Sequence, residues 1–202
     1  MIDRYKDTGK FVIMGKIESG ILKKGDELVI SPTKEKLKID SIECDFSEKP
    51  IECAFPGENI YMNVKGIDIG NVNGGYILSD PTFPAPTVKV FRASVRITNC
   101  REKNPLFCAG STAVMHLHTL TVEVTFKKIV AELDNNGKPK KNKNGRIEKT
   151  TFVKKNQSAL IDFEVDQKIS CEPFKLFKNL STFTLRDEGL TLAIGKVTKI
   201  IE

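Results

Sequence analysis

At 202 residues, 40% hydrophobic and 29% charged, the chain has room for one large or two small globular domains, each able to bury a core. It has no apolar run near the roughly 20 residues of a membrane helix and no secretory pattern ahead of its first strand-like run; a cytoplasmic monomer without membrane contact is expected. The five cysteines (Cys44, Cys53, Cys100, Cys108, Cys171) are odd in number and lack C-x-x-C spacing, so reduced thiols are expected rather than a disulfide framework or zinc knuckle.

Short apolar runs with glycine and proline turns between them dominate the first part of the chain. Strands are predicted at Phe11–Ile17, Glu27–Ile30, Lys36–Glu43, Ile60–Lys65 and Tyr76–Ser79. Their turns are Glu18-Ser19-Gly20, Lys23-Lys24-Gly25, Pro56-Gly57 and Asn73-Gly74-Gly75. Regular short strands with this punctuation suggest a small closed barrel. No stretch carries a helical period. Pro81, Pro84 and Pro86 then fall within six positions. Proline fixes φ and removes an amide donor, so this segment is predicted to be a stiff connector. The expected division is residues 1–84 and 85–202.

The second block opens on Lys89–Thr98, with Val90, Ala93, Val95 and Ile97 as candidate core positions. A turn-rich loop, Asn99–Ser111, follows. The run from Thr112 to Leu133 is too long for one strand and predicts two or more. Ala159, Ile161, Phe163 and Val165 alternate with Leu160, Asp162 and Glu164, a strand with one wet side. Pro173–Phe177 reads as a single helical turn presenting two aromatics. The fold class is therefore all-β: two antiparallel β-barrels joined by a short proline-rich connector.

The net charge of +6 is concentrated in one place. Between Asp134 and Lys149 six basic residues face two acidic ones, so this segment holds four of the six net charges. Lys138, Lys140, Lys141 and Lys143 are candidate contacts to RNA phosphates, an attraction that depends on salt and not on base sequence. A solvated loop that serves solubility is the competing reading.

The last twenty residues form the closing hairpin. Phe183 and Leu185 alternate with Thr184 and Arg186. Arg186-Asp187-Glu188-Gly189 is a polar turn. The return strand places Leu190, Leu192 and Ile194 on one face. Val197 falls out of that phase, so Gly195 is expected to mark a β-bulge.

F-T-L-R-D-E-G at Phe183–Gly189 followed by T-L-A-I-G-K-V at Thr191–Val197 resembles the C-terminal hairpin of the eukaryotic class II polypeptide chain release factors. These are translational GTPases related to elongation factor 1-alpha. Ile2–Asp7, Gly15–Gly20, Lys24-Gly25-Asp26, Pro56–Asn59 and Val64–Ile67 resemble the family's second domain, and Met115–Thr119 its third. The similarity covers nearly the whole chain in the family's order.

The resemblance implies translation termination. The family's third domain binds the class I release factor, which reads stop codons, and the barrels help dock the pair on the small ribosomal subunit. Phe183, Thr184, Leu185, Arg186 and Asp187 align with the motif tied to that interaction, while Ser181-Thr182 replace the motif's Gly-Arg. Threonine cannot supply a guanidinium fork, so an interaction that needs one is not available at that position. The residues themselves leave another reading open: Phe183 and Leu185 as core, and Arg186-Asp187 as a local ion pair. The ribosome-rescue GTPase paralogue and elongation factor 1-alpha share the implied architecture. A free-standing RNA-binding barrel is a separate reading, and it would need surface aromatics set among basic residues.

No catalytic residue is expected. The chain lacks G-x-x-x-x-G-K-[ST] and N-K-x-D, so it holds no phosphate cradle or guanine reader. GTP and Mg are expected in a G domain upstream of Met1. His116 and His118 would share a face on a strand, a metal geometry only if a third ligand joined them. The chain has no third histidine, so structural imidazoles are expected and no metal.

Overall fold

The computed structural model describes residues 1–7, 9–44, 49–68, 70, 72–101 and 105–202. Its regular elements are sixteen strands, with no α-helix among the described residues. The chain divides into two compact units, Met1–Thr87 and Val88–Glu202.

The first unit is built from β1 (Asp3–Asp7), β2 (Lys10–Lys16), β3 (Leu22–Lys23), β4 (Glu27–Ser31), β5 (Glu35–Cys44), β6 (Cys53–Ala54), β7 (Asn59–Lys65) and β8 (Ile77–Ser79). Six of these make one sheet in the order β1-β2-β7-β5-β4-β8, and β3 pairs with β6 in a separate ribbon. The two ends of the sheet meet just outside its strands. Gly75 N–H donates to the Met1 carbonyl at 3.1 Å, and the Met1 ammonium donates to the Tyr76 carbonyl at 3.0 Å. Alternation along β7 turns Ile60, Met62 and Val64 inward, where they pack with Ile13, Ile30, Ile39 and Ile42. The proline segment is tied to this unit: the buried Ser31 hydroxyl donates to the Ala85 carbonyl at 3.0 Å.

The second unit contains β9 (Thr87–Ile97), β10 (Phe107–Cys108), β11 (Thr112–Leu117), β12 (Leu120–Leu133), β13 (Phe152–Val153), β14 (Ser158–Ser170), β15 (Thr182–Asp187) and β16 (Leu190–Ile200). Six strands close a barrel, β11-β12-β14-β9-β16-β15 and back to β11. Closure leaves no free edge on that sheet. The long apolar run from Thr112 indeed splits in two, at His118-Thr119. Inside the predicted loop 99–111, β10 pairs with β13 as a two-stranded ribbon, and residues 102–104 lie outside the described residues.

Phenylalanines fill the barrel. Phe126 packs edge-on against Phe163 with centroids 4.9 Å apart, and Phe107 stacks on Phe126 at 5.4 Å. Phe183 meets Phe91 and Phe163 edge-on at 6.0 and 5.9 Å. Such contacts add to the area term of a buried ring. The turn at 173–177 is held by Leu176 and Phe177 amides donating to the Pro173 carbonyl. Phe174 lies under the Lys196 ammonium, 4.8 Å from its ring centroid.

Candidate functional site

The closing hairpin sets the site. Asp187 pairs with Leu190, so Glu188-Gly189 is a two-residue turn. Their φ angles are 45° and 82°. Positive φ at both central positions is the turn whose twist suits a tight hairpin, and glycine takes the second position without strain.

The predicted bulge at Gly195 is corrected. Gly195 sits in regular register, opposite Phe183 and Val95. The register slips instead at Leu192, between the pairs Leu185–Ala193 and Arg186–Thr191, and again at Thr198. An extra residue in one strand reverses the alternation beyond it. Leu192 is buried while Leu190 and Ile194 are exposed, so the three do not share one face. Ala193, Gly195 and Val197 point inward. Gly195 is required by packing: a Cβ there would lie 2.4 Å from the Phe183 ring.

Of the motif residues, Phe183 and Leu185 are core, at 2% and 0% exposure. Their side chains face the barrel interior, behind the strand's outer surface. Thr184 and Arg186 point outward from β15. The alternative reading of Arg186 and Asp187 as a local ion pair does not hold. Asp187 is instead ion-paired with Arg101, whose guanidinium also donates to the Thr112 carbonyl at 2.7 Å. Arg186 donates to the Gly189 carbonyl at 3.1 Å and stays exposed.

The register assembles a row that the motif alone does not contain. On the barrel exterior His116 lies opposite Thr184, Thr184 opposite Ile194, and Ile194 opposite Arg96. Val114 lies opposite Arg186 in the next row. Directly opposed residues on one face of a sheet are neighbours. Ile194 is 53% exposed at the centre of this patch. Arg96 lies directly opposite Ile194, and Arg186, also exposed, lies one row away on β15. Sequence reasoning missed Ile194 and Arg96. The bulge at Leu192 hid the first, and only strand pairing reveals the second.

The lysine segment is an ordered ribbon. Leu133 bridges Pro139, and Lys141 bridges Ile147. The Asp134 carboxylate accepts from the amides of Asn136 and Lys138, and the Asn142 side-chain carbonyl from those of Asn144 and Arg146. Lys138, Lys141 and Lys143 are exposed. Lys140 is tied to Glu132 at 2.6 Å, and that hydrogen bond keeps its ammonium charged to a higher pH than usual.

Known proteins resemble both units. The GTP-eEF1A C-terminal domain-like family model matches residues 90–198, and that of elongation factor Tu domain 2 matches residues 10–79. The chain belongs to the GTP-eEF1A C-terminal domain-like family. It is 35% identical over 198 residues to the eukaryotic peptide chain release factor GTP-binding subunit of Candida maltosa, and 36% over 200 residues to that of Candida albicans. Each alignment takes in 98% of this chain and 26% of the relative, so the chain spans about a quarter of those proteins. The crystal structure of sup35 complexed with GDP superposes with a TM-score of 0.88 at 29% identity, covering 99% of this chain and 46% of that one. The GMPPNP complex of sup35 gives 0.84 at 30% identity, covering 98% and 46%.

Neither a phosphate loop nor a guanine-reading motif is present in the sequence. Among the described residues no three His, Cys, Asp or Glu side chains converge. His118 lies in the β11–β12 turn at φ 44°, not on the strand, so it does not share a strand face with His116. The Nδ1 of His116 is 3.2 Å from the Thr121 hydroxyl. No described helix is long and apolar enough to cross a membrane.

Proposed function

We propose that this chain is the non-catalytic β portion of a translation-termination GTPase. It binds the class I release factor through the outer face of the closing hairpin and helps dock that factor on the small ribosomal subunit in the cytoplasm. The observation that carries the reading is the Thr184–Ile194–Arg96 row beside Arg186, on the outer face of a barrel whose strands are packed from within. Similarity to release factor GTP-binding subunits over 98% of the chain supports the partner class.

The chain's part in this reading is positional. Phe183 and Leu185 fix the strand from inside, Arg101 pins the hairpin's end through Asp187, and the exterior is thereby preorganised. Preorganisation lowers the ordering cost of association. GTP and magnesium belong to a G domain outside these residues, and the β units transmit a switch they do not operate. Lys138, Lys140, Lys141 and Lys143 add salt-dependent attraction to ribosomal RNA.

Co-precipitation of the 202-residue chain with three candidates tests the assignment: the class I release factor, its rescue paralogue and aminoacyl-tRNA. Preferential capture of the class I factor is expected. Capture of the rescue paralogue or aminoacyl-tRNA alone would reassign the chain to the rescue GTPase or to elongation.

A further inference from the structure

Beside the lysine ribbon lies an exposed aromatic ring. In the two-residue strand β13, Val153 is fully buried and alternation turns Phe152 outward, 42% exposed and opposite Cys108 of β10. Lys154 holds its ammonium 5.4 Å from the Phe152 ring centroid. Glu132 ties this corner to the ribbon. One of its carboxylate oxygens accepts from Lys140 Nζ at 2.6 Å and from Gln157 Nε2 at 3.2 Å, and Gln157 Oε1 accepts from the Lys154 amide at 2.7 Å. The turn carrying Lys154 and Lys155 and the ribbon carrying Lys141 and Lys143 thus share one anchor. Among the described residues none of these four lysines has a carboxylate partner.

We propose that Phe152, Lys154 and Lys155 join the ribbon as a single face for unpaired RNA, one base stacking on the Phe152 ring while the lysines track the phosphates. The proposal rests on the ribbon's reading as an RNA-binding element and specifies the RNA: single-stranded, without sequence preference. Stacking platforms set in positive grooves bind in this way, because every base has a π-face. An acidic protein would satisfy the lysines equally well. A ring held outward among lysines that carry no carboxylate partner is, however, the arrangement that base stacking in a positive groove uses, and it therefore favours RNA.

The chain contains no tryptophan, so Phe152→Trp installs a single fluorophore at the stacking position. Titration of that variant with dodecauridylate at low salt should quench its emission. A 12-base-pair RNA duplex should bind without quenching. By anisotropy, Phe152→Ala should weaken dodecauridylate binding about 5- to 100-fold with the salt slope unchanged. Lys154→Ser/Lys155→Ser should lower the slope by roughly 0.7 for each phosphate that is no longer neutralised. Phe152→Leu should behave like Phe152→Ala, since it keeps apolar area and removes the ring. Binding without quenching, or unchanged affinity in Phe152→Ala, would overturn stacking and leave only phosphate attraction. Equal binding of polyglutamate would overturn the RNA assignment. Absence of any binding would overturn both the RNA face and the ribbon's role. Class I factor capture by Phe152→Ala, measured in parallel, stays at the parent level, so failure here is separable from failure of the hairpin reading.

Discussion

The closing hairpin supplies two staves of the barrel, whereas the lysine ribbon projects from the end of β12, and different forces hold them. The hairpin has a buried side. Phe183, Leu185, Ala193 and Val197 lock it into the core, and its outer face inherits that rigidity. The ribbon has no core of its own between Asp134 and Lys149. Asp134 and Asn142 side chains cap its turns, and one lysine is tethered. A surface backed by packed rings can present a shape to one partner. A ribbon of solvated cations presents charge, which serves any polyanion that reaches it.

Substitutions on the hairpin's inner side should give the largest effects. Phe183→Ala removes a ring touching Phe91 and Phe163 and should cost about 3–5 kcal/mol in chemical denaturation of the second unit. An equally stable variant would mean the hairpin is not core-anchored. Gly195→Ala drives a methyl into the same ring and should cost about 1–3 kcal/mol. Adding Phe183→Leu to Gly195→Ala should recover part of that loss. Strict additivity of the two changes would show that ring and glycine do not meet.

The ribbon should respond in the opposite way. Replacing Lys138, Lys141 and Lys143 together with serine should shift stability by no more than about 0.5 kcal/mol, because exposed charges on a solvated ribbon contribute little. A melting curve displaced well beyond that would place the ribbon among the structural elements.

Thiols provide the smallest contrast. Cys171 packs in the hairpin's core cluster, and burial pushes its thiol from 9.0 to about 12. Cys108, opposite Phe152 on the outer side of the β10–β13 pair, is open to solvent. Iodoacetamide at pH 8 should label Cys108 first and Cys171 only on unfolding. The Cys171 thiol ionises at lower pH unfolded than folded, so its contribution to stability is present below about pH 9 and is lost as pH rises toward 12. The fall in denaturation midpoint across that range should be shallower in Cys171→Ala.

Much of this was legible in the sequence. Period-2 alternation located the long strands. The family motifs on Phe183–Gly189 pointed to the hairpin. What could not be read depended on pairing across strands. An extra residue at Leu192 leaves no mark in the composition of its own strand, yet it turns Ile194 outward. Gly195 looked like a bulge because both a bulge and a close ring approach call for glycine. Asp187 found Arg101, 86 positions away in sequence, rather than its neighbour. The strands of the β3–β6 and β10–β13 ribbons are two residues each, too short for any period to register.

Calorimetric titration of the chain with the C-terminal domain of the class I release factor, in parallel with Arg186→Ala and Ile194→Asp, bears most directly on the hairpin's outer face. Binding by the parent chain is expected, with roughly 30-fold weaker affinity in Ile194→Asp, a smaller loss in Arg186→Ala, and melting temperatures unchanged in both. No binding by the parent chain, or undiminished affinity in both variants, would contradict the account.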